Sequence, residues 1–172
     1  MIDLTDKLTR VMRLSRESEY GLAGISVLAR QPVGTVMLLE EIAEAGNVPA
    51  RFLAQIFQKL RRHNIVVSHR GAIRGYSLAR DPKAINLREI FEAIEGPDLL
   101  ERCIFWPTRC GGQHPCQLHE RWGPVRLEIR EMMERTSLKD VASGSDRHPG
   151  PGKIEGNRAG TLGREIPLTS RR

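Results

Sequence analysis

The chain of 172 residues is 40% hydrophobic and 28% charged, which suits one soluble domain with extensions and is too apolar for a disordered protein. No run approaches the ~20 apolar residues needed to span a bilayer, and the N-terminus lacks a signal-peptide core; a cytoplasmic protein with reduced thiols and no membrane contact is expected. The formal net charge of +6 and pI near 9.7 favour a polyanionic partner.

Residues 1 to 11 read as an N-terminal extension, with Met12 opening a more coherent segment. Helical spacing of Leu14, Ser18, Leu22, Ile25 and Leu28 predicts a first helix, stopped by Pro32 and Gly34. A second runs through Leu38, Leu39, Ile42 and Ala43 and ends at Gly46-Asn47, a pair suited to the left-handed conformation. Pro49 then opens a helix over Ala50 to His63, with Phe52, Leu53, Ile56, Phe57 and Leu60 on its apolar stripe. Ile65 to Ser68 and Tyr76 to Leu78 read as strands flanking a turn with two glycines. Helix, short turn, helix and hairpin make a winged helix-turn-helix domain over residues 12 to 80.

A connecting helix follows within residues 81 to 98, closed by Gly96-Pro97. Residues 99 to 119 form a cysteine-bearing loop, and residues 120 to 143 a long helix and a short final one, for which Ser137 to Asp140 supplies a capping box. Leu118, Trp122, Val125, Ile129 and Met132 follow coiled-coil spacing. That stripe suits a second copy of the chain, the protein's own core, or both. Pro124 predicts a kink or a late helix start. Residues 144 to 172 turn to Gly, Pro, Arg and Ser without periodicity and read as a disordered tail. The expected fold is mainly α, with a two-stranded β-wing and a long C-terminal dimerisation helix.

Residues 48 to 80 carry Arg51, Lys59, Arg61, Arg62, Arg70, Arg74 and Arg80 and no Asp or Glu, whereas a merely solvated face interleaves both signs. Arg51, Gln55 and Lys59 lie on the exposed side of the recognition helix, where Arg and Gln can pair with guanine and adenine edges. Lys59, Arg61, Arg62, Arg70 and Arg74 suit phosphates or the minor groove. The expected partner is a double-stranded DNA operator.

All three cysteines fall in one stretch, Cys103-x6-Cys110-x5-Cys116-x2-His119. Zinc sites usually pair ligands two to four residues apart, and only Cys116 and His119 do so here. The wider intervals, shaped by Pro107, Gly111, Gly112 and Pro115, suit a loop around something larger than one ion. Thiolates with an imidazole form an accepted iron–sulfur ligand set. Zinc, a metal-free thiol switch and simple burial of the cysteines remain the alternatives.

Met12-Arg-Leu-Ser, Tyr20, the run from Phe52 to Arg61, Arg70-Gly71 with Gly75-Tyr76, and the three-cysteine loop resemble the Rrf-two family of bacterial regulators, over about residues 12 to 141. The resemblance implies a homodimer of winged helices reading a near-palindromic operator as a repressor, and sensing iron, nitric oxide, redox state or cluster supply. It implies an iron–sulfur cluster on Cys103, Cys110 and Cys116, [2Fe–2S] being favoured over [4Fe–4S]. His119 matches the histidine that serves some members as fourth ligand, and Glu19 the carboxylate, from the partner subunit, that serves others. The first cysteine interval leaves cluster type open. The wing carries Ala72, Ile73 and Arg74 where many relatives are glycine-rich, which leaves the operator sequence open. Half-sites about one helical turn apart follow from two-fold symmetry. An enzyme or electron carrier is the distant alternative, as no nucleophile–base constellation or phosphate-cradling loop is visible.

Overall fold

The computed structural model describes residues 14–71, 73–101, 103, 110 and 113–144. The expected extension over residues 1–11 and the expected tail beyond Gly144 lie outside these. Helices α1 (Arg16–Ala29), α2 (Leu39–Ala45) and α3 (Ala50–Arg62) precede a hairpin of β1 (Val66–His69) and β2 (Gly75–Leu78). A short 3-10 turn over Pro82–Ala84 leads to α4 (Leu87–Glu95), α5 (His119–Arg135) and α6 (Leu138–Gly144). This is the mainly helical winged helix that the sequence pattern predicts.

Local chemistry sets the element ends. Ser15 Oγ accepts the Ser18 N–H at 3.2 Å to start α1, and Asn86 Oδ1 accepts the Glu89 N–H at 2.9 Å to start α4. Ser137 and Asp140 form the expected reciprocal cap: Asp140 N–H donates to Ser137 Oγ at 3.2 Å, and Ser137 N–H to the Asp140 carboxylate at 3.0 Å. After α2 it is Asn47, not Gly46, that turns left-handed (φ 51°), and Asn64 does the same after α3 (φ 59°).

The apolar faces converge on one core built from Ile25 and Leu28 of α1, Ile42 of α2, Leu53, Ile56, Phe57 and Leu60 of α3, and Ile90 and Phe91 of α4. Each such side chain contributes roughly 1.5–3 kcal/mol when fully buried. Helices α1 and α3 approach closely because Gly24 has no side chain: a Cβ there would sit 2.5 Å from Leu53 Cδ1.

The wing pairs antiparallel, with Val66 opposite Leu78 and His69 opposite Gly75. Tyr76 ties it to the helices, its ring meeting Phe57 edge-on at 5.1 Å. Met37 adds a bridge that the pattern did not predict: Met37 N–H donates to Tyr76 O at 3.0 Å, and Tyr76 N–H to Met37 O at 2.8 Å. Gly75 permits it, at φ 144°, since a Cβ would lie 2.2 Å from the Met37 carbonyl oxygen.

The C-terminal helices belong to the same core. Leu87 N–H donates to Thr136 O at 3.0 Å, Leu138 N–H to Ile85 O at 2.8 Å, and Leu138 and Ala142 are buried. Arg30 Nε reaches Ala142 O at 3.3 Å, holding α6 against α1. Pro124 lies inside α5, which nonetheless spans its full range. The apolar stripe of α5 divides: Ile129 packs on the core beside buried Met133, while Val125 and Met132 are 42% and 51% exposed. No described helix is long and apolar enough to cross a membrane.

Candidate metal centre and nucleic-acid interface

The segment between α4 and α5 brings the three cysteines together. Gly96 (φ 111°) releases the chain from α4, and Glu101 is clasped by Arg130 Nη2 and by Arg126, whose Nη1 donates to the Glu101 carbonyl at 3.1 Å. Cys103 follows two residues later and is buried. Cys116 precedes α5, with its carbonyl accepting the His119 N–H at 2.9 Å.

The sulfurs of Cys103, Cys110 and Cys116 lie within 4.8 Å of one another. Cys103 Sγ and Cys116 Sγ stand 3.9 Å apart. His119 Nδ1 touches Cys110 Sγ at 3.3 Å without joining the mutual 4.8 Å group. Glu19 is exposed on the first turn of α1 and is not among the converging donors of this chain. The largest influence on the Cys110 thiol is the Cys116 N–H, which donates to it at 3.4 Å and favours the thiolate. Burial and the neighbouring Cys116 and Cys103 thiols act the other way and outweigh it, so the thiol titrates above its ordinary value.

The proposed DNA-facing residues do not share one fate. Arg51, Gln55, Arg61 and Arg62 are exposed on α3, and Arg70 and Arg74 are exposed on the wing. Arg51 also lies over the Phe52 ring, 4.9 Å from its centroid. Lys59 also has partners within the protomer. Its Nζ pairs with Glu17 Oε2 at 2.5 Å and donates to Ile94 O at 3.1 Å, which ties it to α1 and α4. Steps of four residues drift about 40° round a helix of 3.6 residues per turn, so Lys59 falls off the stripe begun by Arg51 and Gln55. The exposed stripe continues instead through Gln58 to Arg62. Spacing four, three, four would have found Gln58 from the sequence. Arg80 is also paired, with Glu89 at 2.5 Å.

A cleft of about 550 Å³ separates α3 from the wing, lined by Gln58, Arg61, His69, Arg70 and Arg74 with Glu40 on the α2 side. His69 Nε2 and Ser77 Oγ, 2.8 Å apart, brace its strand wall.

An exposed polar recognition helix beside an arginine-bearing wing defines the winged-helix class of DNA-binding transcription factors. The Rrf2 family model, described as an iron-dependent transcriptional regulator, matches residues 14–144, and the chain belongs to this family. A Mycobacterium tuberculosis protein described as an HTH-type transcriptional regulator is 34% identical over 134 residues, covering 78% of this chain and 83% of that protein. The HTH-type transcriptional regulator IscR of Sodalis glossinidius is 27% identical over 135 residues, covering 78% and 81%. The solved structure of CymR, the global cysteine regulator of Bacillus subtilis, superposes with a TM-score of 0.63 at 30% identity, covering 77% of this chain and 97% of that one. These relatives are regulators, not enzymes.

Proposed function

We propose that the protein is a homodimeric DNA-binding repressor whose operator occupancy is set by an iron–sulfur cluster, held by Cys103, Cys110, Cys116 and His119 and reporting iron, redox state or nitric oxide. The observation that carries this reading is the convergence of three cysteine sulfurs within 4.8 Å in a family described as iron-dependent. The donor set also fits. Thiolates near 2.3 Å on one tetrahedral metal stand about 3.8 Å apart, and a thiolate and an imidazole about 3.5 Å. Cys103 with Cys116 at 3.9 Å and Cys110 with His119 at 3.3 Å match two such pairs. Spacings of this order suit one tetrahedral ion as well as a cluster, so the preference for an iron–sulfur cluster over zinc rests on the family described as iron-dependent.

When bound, the cluster would supply a redox- and iron-sensitive charge between α4 and α5. The residues of the chain do the rest. Arg51, Gln55 and Gln58 present base-reading groups in the major groove; Arg61, Arg62, Arg70 and Arg74 meet phosphates; Arg126 and Arg130 hold Glu101, and with it the approach to Cys103. A change of state at the cysteines acts on DNA only through unequal affinity for two poses of the heads.

The rival reading is a metal-free thiol switch. It draws on the same 3.9 Å separation, since a two-electron oxidant could join Cys103 and Cys116 with loss of two protons. Protein purified without oxygen separates the two. Stoichiometric iron and acid-labile sulfide with visible absorption is expected. Colourless protein, free of iron and sulfide after iron–sulfur reconstitution, would overturn the cluster.

A further inference from the structure

We propose that Ile73 at the turn of the wing is a specificity-determining apolar contact, entering the minor groove of the operator and pressing on deoxyribose and base edges there. The inference rests on the DNA-binding reading above. Single exposed apolar side chains are ordinary on protein surfaces. Ile73 differs by its setting: it is 68% exposed, level with Val33 at 67%, and unlike Val33 it stands in the turn that carries Arg70 and Arg74. Those two arginines line the cleft against α3, and Ile73 does not. The turn thus carries two arginines that line the cleft and one exposed aliphatic residue that does not.

That arrangement matches a duplex better than a protein or membrane surface. Phosphates rim both grooves, and the arginines stand where they can engage that rim. Between the rims, the minor groove offers sugar carbons and, over A·T pairs, no exocyclic amine. An isoleucine loses water there at little polar cost, and apolar side chains that enter this groove commonly unstack a flexible step. The turn is anchored for such a thrust. Gly75 and Tyr76 are fixed to Met37, and Tyr76 to Phe57, so the wing is coupled to the recognition helix.

The test uses the full chain and a duplex that the wild-type protein selects from a randomised pool. Ile73→Ser should weaken binding about five- to tenfold, the scale of partial burial of one isoleucine, without changing the salt slope, because no counterion is released by an apolar contact. Ile73→Val should recover most of the loss. Arg74→Ala, by contrast, should lower the salt slope by about one. Replacing A·T pairs under the wing with inosine·cytosine preserves the minor-groove edge and should preserve the advantage of isoleucine over serine. Replacement with G·C, whose amine fills the groove, should erase it. Unchanged affinity for Ile73→Ser, a fall in salt slope with it, or equal behaviour on inosine·cytosine and G·C would each overturn the contact while leaving the regulator standing. Failure of the wild-type chain to retain any duplex would overturn both.

Discussion

At the scale of single residues, Lys59 and Glu95 show how position overrides composition. Lys59 looks like a phosphate ligand in a segment without acids, yet Glu17 arrives from α1 to neutralise it. Lys59→Met should lower thermal stability and leave the salt slope of DNA binding unchanged; a slope reduced by about one would return it to the interface. Burial pushes the Glu95 carboxyl up, but hydrogen bonds from the Ser18 hydroxyl at 2.5 Å and the Ser15 N–H at 3.0 Å, with the Lys59 charge nearby, outweigh it and hold its pKa below the ordinary 4.5. A depressed carboxylate contributes stability above its unfolded pKa that is lost as pH falls through the folded one. Glu95→Gln should therefore be less stable than wild type near neutrality, and the two melting curves should converge on acidification below about 4.5. At the cysteines, Cys103→Ala, Cys110→Ala and Cys116→Ala should each lose iron and visible absorption while keeping their helical circular dichroism, because the core lies elsewhere. His119→Ala should shorten cluster lifetime rather than abolish assembly, since Nδ1 touches only one of the sulfurs closely. Full iron and sulfide in all three cysteine variants would remove the ligand assignment.

At the scale of elements, α3 and α5 make separable predictions. Arg51→Ala or Gln55→Ala should cost on the order of 1–3 kcal/mol on a selected duplex and relax base preference at one position, measured by competition among base-substituted duplexes. Gln58→Ala belongs in the same series, because exposure places it on the stripe that Lys59 leaves. For α5, coiled-coil spacing makes Ile129 the centre of a seam, but Ile129 packs on the protomer's own core. A charge there would unfold the protomer as readily as split a dimer. The informative change is Val125→Asp with Met132→Asp, at the exposed edge of the stripe. It should leave the melting profile of the isolated fold intact and yield monomers by sedimentation, since paired burial of the new charges is costly. A double variant that stays dimeric would move the interface off this face.

At the scale of the whole molecule, charge distribution matters more than net charge. Residues 145–172 contain six Lys or Arg and three Asp or Glu, so half of the +6 lies in this C-terminal segment. Truncation after Gly144 should leave iron content, oligomeric state and operator preference unchanged and weaken only binding to unrelated DNA, as electrophoretic titration on both duplexes would show. Altered operator preference would bring the tail into recognition.

The sequence alone was enough to define the main elements and their order, because 3.6-residue stripes, Pro and Gly stops, and the Ser137 capping box act within a few residues of where they stand. It also marked the cysteine segment, since three thiols in one stretch need no fold to be noticed. Tertiary structure decided what depends on distant partners. Glu17 and Glu89, both outside the acid-free run, remove Lys59 and Arg80 from its free charge. Met37, more than thirty residues before Tyr76, anchors the wing. The α5 stripe divides because α4 covers one edge of it and leaves Val125 and Met132 exposed among the described residues. Periodicity reports that a face is apolar; only the packing of α4, α5 and α6 around one core determines which of its side chains that core has room to bury.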